Sequence, residues 1–377
     1  MEDFVQLARL AVGERSDDVR LFLARLVRRY RATHPDLAEK FDTYLKSSPA
    51  RGSSPLRRAA PSQDVIAADH HGALPLDQDS RLSLLKVYTD TETPEPLLSA
   101  VTRDAVGQLI LERTRVESLR QAGLRPTRSA IFLGPPGVGK TLTARWVAAQ
   151  LSLPLYVLDL TAVMSSYLGR SGNNLRAAID YAKRSNCILL LDEIDAIAKR
   201  RSDDADIGEL KRLVTVVLQE VDEWPATGLL LAATNHPELI DPALWRRFDA
   251  VVPFELPDLA AVKTALKRYL EPEYERFERW ADVLAYALLG ESFSAIEKTA
   301  QRFRRTVALE LAGEADLVEE FLKSRAVSLA HPQRVELATL LSQQTRLSQH
   351  RISEITGVSR DTIRKYGGTA SKNKRNN

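Results

Sequence analysis

The chain's most concentrated chemistry is the run Gly134-Pro-Pro-Gly-Val-Gly-Lys-Thr141, which fits G-x-x-x-x-G-K-[ST] at every required position. Glycine at 134, 137 and 139 lets backbone N–H groups turn inward around phosphate oxygens, along a path that side chains obstruct. The Lys140 ammonium can reach β- and γ-phosphates, and the Thr141 hydroxyl is an oxygen ligand placed for Mg²⁺. Gly134, Pro135, Pro136, Gly137, Val138, Gly139, Lys140, Thr141 and Leu142 are therefore the candidate nucleotide-contacting residues. A carboxylate pair, Asp192-Glu193, follows the apolar run Cys187-Ile-Leu-Leu-Leu191. At the carboxyl end of a buried strand, Asp192 is placed to hold Mg²⁺ through the metal's water shell. Glu193 is the candidate general base that orients and deprotonates the attacking water. Asn235 ends a third apolar run, Leu229-Leu-Leu-Ala-Ala-Thr234, where its amide could touch the γ-phosphate. Together these residues point to hydrolysis of a nucleoside triphosphate, with Mg²⁺ as the metal required.

Such groups converge only if the elements beneath them do. Apolar strand-like runs at Ile131–Leu133, Leu155–Leu158, Cys187–Leu191, Leu229–Ala233 and Val251–Phe254 alternate with helical spacing. That alternation predicts an α/β domain with a parallel sheet between helices. A helix from Leu142 to Leu151 aims its positive end at the phosphate loop. After Pro257 strand signals stop, and the chain to Ala326 reads as helical. Residues 1–46 carry helical apolar faces, among them Phe22, Leu23, Leu26 and Val27. A Ser/Pro/Arg/Ala/Asp-rich stretch without period follows, as in a flexible linker. The expected division is 1–46 helical, 47–80 linker, 81–257 α/β, 258–326 helical lid, 331–367 a further helical domain and 368–377 a basic tail.

Composition narrows the class. A length of 377 residues suits two or three domains, and a single cysteine excludes a disulfide framework and fits a reducing cytosol. No apolar run approaches the roughly 20 residues that span a bilayer, and no basic-then-apolar leader is visible, so a cytoplasmic protein without membrane contact is expected. The net charge is only +3, but residues 331–377 hold 9 Lys and Arg against 3 Asp and Glu. Basic residues gathered at one end suggest an acidic partner such as nucleic acid, or else a solvated tail.

The set Gly134–Thr141, Ile188–Asp195, Ala232-Ala-Thr-Asn-His-Pro237 and Asp241-Pro-Ala-Leu-Trp-Arg-Arg-Phe-Asp249 resembles an AAA+ ATPase. Over about Leu82 to Ala326 it is similar to the clade of katanin- and spastin-like unfoldases and membrane-anchored AAA proteases. The resemblance implies that the nucleotide bound at Gly134–Leu142 is ATP. It also implies a homo-oligomer, commonly a hexamer, with Asn235 as sensor 1 and Arg246 and Arg247 as the paired arginine fingers that reach a neighbouring subunit. Family members separate those arginines by Pro-Gly; here they are adjacent, which leaves open which one acts. Ser292-Phe-Ser-Ala-Ile-Glu297 matches the lid segment that packs near adenine, and no arginine stands at the sensor-2 position. Tyr167, Leu168 and Gly169 match the first pore loop, where an aromatic ring grips a threaded protein client by area and dispersion. Asp203–Ile207 falls at a second pore loop.

The C-terminal stretch from Leu347 to Tyr366 resembles a helix-turn-helix. Ile352 and Ile355 supply one apolar face, Gly357 permits the turn, and Ile363 with Tyr366 is expected to face inward. A helix from Ser359 to Tyr366 is then the one for a DNA major groove. Arg351, Arg360, Thr362, Arg364 and Lys365 are its candidate DNA contacts, against the alternative of a protein-docking module. The expected activity is an ATP-driven ring motor that threads or remodels a protein client and is recruited through the helix-turn-helix. The alternative is a DNA-acting AAA+ regulator of the transposition, replication or defence type; a non-hydrolysing switch conflicts with Asp192, Glu193 and Asn235. No His-Glu-x-x-His occurs, so proteolysis would need a separate protease or effector.

Overall fold

The computed structural model describes residues 74–77, 82–90, 92–164, 171–198, 204–240 and 245–367, together with residues 24, 26, 27, 39 and 40. Of the N-terminal stretch, Ala24, Leu26 and Val27 are helical and buried. The chain divides into two compact units, one ending at Pro253 and the other comprising residues 96–103, 134–139 and the chain from Phe254 onward.

The first unit is built on strands β1 (Leu85–Tyr88), β2 (Ser129–Leu133), β3 (Leu155–Leu158), β4 (Ile188–Leu191), β5 (Leu229–Thr234) and β6 (Ala250–Pro253), in the spatial order β1-β3-β4-β5-β2-β6. Strands β2 to β6 are parallel to their neighbours, whereas β1 runs antiparallel to β3 at the edge. All residues of β4 and β5 are buried, so both faces of the sheet centre are covered, which is why these strands read as unbroken Leu/Ala/Ile runs. The intervening helices are α1 (Ala100–Thr114), α2 (Val116–Gln121), α3 (Lys140–Leu151), α4 (Leu160–Met164), α5 (Ser171–Lys183), α6 (Asp195–Ala198) and α7 (Asp204–Asp222). Helices α5 and α7 are joined by a largely buried ion pair, Lys183 Nζ to Glu220 at 2.5 Å.

Two features differ from the sequence reading. The edge strand β1 is not among the apolar runs, because Leu85-Lys-Val-Tyr88 is short and alternates in burial instead of forming an apolar block. Residues 74–77 lie inside the stretch read as linker, yet Asp77 is buried and accepts a 2.8 Å hydrogen bond from Asn174 Nδ2.

The second unit carries helices α8 (Leu259–Leu270), α9 (Tyr274–Phe277), α10 (Ala281–Ala287), α11 (Phe293–Ala308), α12 (Glu314–Ser328), α13 (His331–Gln344), α14 (Gln349–Thr356) and α15 (Arg360–Gly367). Side-chain caps set several starts: Asp258 accepts from Ala261 N–H at 2.7 Å, Ser292 from Ala295 N–H at 3.3 Å and Ser348 from Arg351 N–H at 3.2 Å. Phe303 of α11 stacks on Phe277 at 5.6 Å and meets Phe321 of α12 edge-on at 5.5 Å. One buried cluster runs from Val262 and Leu266 through these rings to Leu337, Leu341, Ile352, Ile355, Val358 and Ile363. The lid-like helices and the last three helices therefore share a core.

Gly357 ends α14 at φ +66°, the left-handed conformation that a turn into α15 requires. Ile363 is buried as expected, but Tyr366 is 48% exposed and does not face inward. It lies in the last turn of α15, beyond the single residue through which that helix enters the core.

Candidate active site

Parallel pairing brings the chemically active residues to one sheet edge. Leu191 of β4 pairs with Ala232 of β5, and Leu133 of β2 pairs with Thr234, so Asp192, Asn235 and the loop after Leu133 all leave the same ends of adjacent strands. There Thr141 Oγ1 donates to Asp192 Oδ2 at 2.7 Å and Lys140 Nζ donates to Asn235 Oδ1 at 2.8 Å. Residues nominated from three separate motifs thus meet through two direct hydrogen bonds. Lys140 is 7% exposed; burial pulls its pKa below the usual lysine value, and the carboxylates of Asp192 and Asp195 oppose that shift.

Sequence reasoning missed the organiser of this edge. Asp195, at the start of α6, accepts from Thr234 Oγ1 at 2.8 Å and from the Asn235 backbone N–H at 3.4 Å through the same oxygen, Oδ1. Thr234 Oγ1 in turn accepts from His236 N–H at 3.0 Å. The signal was the third carboxylate in Asp192-Glu-Ile-Asp195, which one turn of chain carries back toward the neighbouring strand. Glu193 is exposed and adopts φ +52°, left-handed for a residue with a side chain, while its backbone N–H donates to Asp192 Oδ1 at 3.0 Å. Backbone strain of this kind costs about 1–3 kcal/mol and concentrates at functional sites.

The glycine loop has little room for other residues. A Cβ on Gly134 would overlap the carbonyl of Phe254, and one on Gly137, at φ +78°, would lie 2.7 Å from Ser292 Oγ. Gly137's carbonyl also accepts the Ser294 N–H at the start of α11, at 3.0 Å. Within the first unit a buried ammonium for phosphate oxygens and a hydroxyl–carboxylate pair for Mg²⁺ are groups that Mg²⁺-ATP requires, and these residues fit it. Among the described residues no cluster of three or more His, Cys, Asp or Glu could hold a metal ion, so Mg²⁺ at Thr141 and Asp192 would depend on phosphate and water oxygens.

The other nominated residues are distributed more unevenly. Arg246 is exposed and makes no ion pair among the described residues, whereas Arg247 is bonded through Nη1 to Asp222 Oδ2 at the end of α7. Tyr167, Leu168 and Gly169 lie outside the described residues; of the second pore-loop stretch, Asp204–Ile207 forms the first turn of α7. Arg360, Arg364 and Lys365 are exposed on α15. Thr362 pairs its hydroxyl with Ser359 Oγ at 2.8 Å. Arg351, nominated with them, is half-exposed and ion-paired: its Nε donates to Glu319 at 2.5 Å and its Nη1 to Glu354 at 3.0 Å.

Known proteins bear on this arrangement. The family model for the ATPase family associated with various cellular activities (AAA) matches residues 130–256. An uncharacterized AAA family ATPase, y4kL, of Sinorhizobium fredii is 30% identical over 309 residues, spanning 82% of this chain and 86% of that protein. ATP-dependent zinc metalloprotease FtsH 3 of Sphaerobacter thermophilus is 31% identical over 245 residues, 61% of this chain and 50% of that protein. 26S proteasome regulatory subunit 6A of Saccharomyces cerevisiae is 32% identical over 194 residues, 49% of this chain and 45% of that protein. The chain thus spans half or less of the metalloprotease and proteasome relatives it matches here. The crystal structure of the FIGL-1 AAA domain superposes with a TM-score of 0.51 at 19% identity, over 70% of this chain and 93% of that one, a likeness of fold. Among the described residues no helix is long and apolar enough to cross a membrane.

Proposed function

Because the chain belongs to the AAA family of ATPases and hydrolyses ATP, we propose that it works as a homohexameric ring motor that threads or remodels a protein client. The observation that supports this best is Arg246. It stands exposed beside an arginine already bonded to its own subunit, so of the pair it is the one left to complete a neighbour's site. Arg246 is then the finger and Arg247 a strut.

In this reading Glu193 takes a proton from water as the water oxygen attacks the γ-phosphorus. The bond from that phosphorus to the β,γ-bridging oxygen breaks, leaving ADP and inorganic phosphate. Lys140 and the neighbour's Arg246 stabilise charge on the phosphoryl oxygens, and Asn235, fixed by Asp195, aligns the water. Thr141 and Asp192 would hold Mg²⁺, which when bound would neutralise further charge on the phosphates. Tyr167, Leu168 and Gly169 form the client-gripping loop. Relatives named as a metalloprotease and a proteasome subunit support a protein client, and a separate protease or effector is the partner that could finish such a client. The helix-turn-helix region recruits the motor. A ring that itself encloses DNA draws support from the basic C-terminal region, but Tyr167 suits a peptide better.

The test uses Glu193→Gln with ATP. Sedimentation should show hexamers, and a persistent monomer would sink the ring. Within rings, Arg246→Ala should lower turnover by roughly 10³-fold or more. Tyr167→Ala should remove stimulation by an unfolded protein while basal hydrolysis continues.

A further inference from the structure

The exposed face of α15 has no task in ATP hydrolysis, and we infer that it binds duplex DNA. This deepens the proposal above by naming the partner that positions the motor. The helix is anchored from one side only: Ile363 is buried with Val358, Leu337 and Leu341, while Arg360, Arg364 and Lys365 are exposed. Arg360 and Arg364, four residues apart, share a face. Asp361 is the only acid on the helix, so α15 carries a net positive charge.

Scaffold and charge agree. A left-handed glycine between two short helices, closed against a third, holds the second helix as a rigid rod, and a B-DNA major groove about 12 Å wide admits such a rod. Regular phosphates suit cations that share a face. A protein groove would instead need an apolar ridge at helical spacing, and the exposed face of α15 offers one aromatic residue, Tyr366, among polar ones. The surface is Arg360, Arg364 and Lys365; Arg351 belongs to the scaffold, since two carboxylates already hold its guanidinium. Because α13 to α15 share a core with α8 to α12, a bound duplex would be fixed to the helical unit itself.

The experiment measures binding of the full chain to a labelled random-sequence duplex of about 30 bp by fluorescence anisotropy, from about 50 mM salt upward. Binding should weaken steeply with salt. Replacing Arg360, Arg364 and Lys365 together by Ala should weaken it at least tenfold and flatten the log–log salt slope by up to about 0.9 for each phosphate no longer neutralised. Thermal melting checks that this variant is folded, and Arg364→Glu alone should weaken binding in the same direction. Arg351→Ala should keep the wild-type slope. The inference fails if wild-type chain binds no duplex at the lowest salt, or if the triple variant matches wild type. It also fails if truncation after Gly367 alone abolishes binding, or if a polyglutamate peptide binds in preference to duplex. The motor is tested separately, by unfolded-protein stimulation of ATP turnover in the wild-type chain without DNA. Loss of one result with the other intact tells the two ideas apart.

Discussion

At the sheet edge the functional groups are bonded to one another: Thr141 to Asp192, Lys140 to Asn235, and both Thr234 and Asn235 to Asp195. On the helical unit the polar bonds are struts, such as Arg351 to Glu319 and Tyr286 Oη to Glu336 at 2.9 Å, while the cations of α15 face outward. Burial and the Glu336 carboxylate push the Tyr286 hydroxyl up to about 12, so it remains a hydrogen-bond donor at ordinary pH. The difference concerns separability. In a buried network one deletion strands its partners, so scaffold and chemistry fail together. On the helical unit the apolar core carries stability and the exposed face carries recognition, so each should be removable without the other.

The sharpest way to break this comparison is Lys140→Ala. It deletes the buried cation and leaves Asn235 without its donor, so nucleotide affinity should fall beyond detection in a fluorescent-nucleotide titration. Affinity within tenfold of wild type would show that the network is not integral. Phe303→Ala comes next, with a loss of about 3–5 kcal/mol in denaturant unfolding. Because one core reaches from α8 to α15, amides of α13 to α15 should lose hydrogen-exchange protection together with those of α11. Protection retained in α13 to α15 alone would mean that the last helices fold separately. Asp195→Ala should lower kcat by roughly 10- to 100-fold, in line with about 1–3 kcal/mol for buried groups left unsatisfied. Nucleotide affinity should change far less, and Asp195→Asn, which keeps an acceptor oxygen, should recover much of the loss. Equal kcat in the Ala and Asn variants would assign the effect to charge instead of alignment. Arg247→Ala should be the mildest, about 0–1 kcal/mol of stability, since its bond to Asp222 is half exposed.

Much of this was legible in the residues. Buried parallel strands are written as apolar blocks, so β2 to β6 could be read within a residue or two; β1, short and half-covered, could not. The phosphate loop was legible because its whole motif is written in consecutive residues, Gly134 to Thr141; the close approaches of Gly134 to Phe254 and of Gly137 to Ser292 were not. Tyr366 was misjudged, and the ion pairs of Arg351 went unseen, because helical spacing gives the face a residue occupies, not what else meets that face. Glu319, 32 residues upstream, claims Arg351, and Tyr366 outruns the core.

The residues by themselves determined the kind of chemistry, since glycines, a lysine and a threonine in that order can cradle a triphosphate, and carboxylates after a buried strand can activate water beside it. They also determined the alternation of strand and helix, through apolar period. The tertiary structure alone decided which groups touch: strand register set Asp192 beside Thr141 and Asn235 beside Lys140. It tied Asp195 to the neighbouring strand, gave Arg247 to Asp222 while leaving Arg246 exposed, and joined the last three helices to the lid core. The physical reason is range. Propensity and periodicity act over a few residues, whereas a hydrogen bond between Lys140 and Asn235 exists only once β2 and β5 have paired.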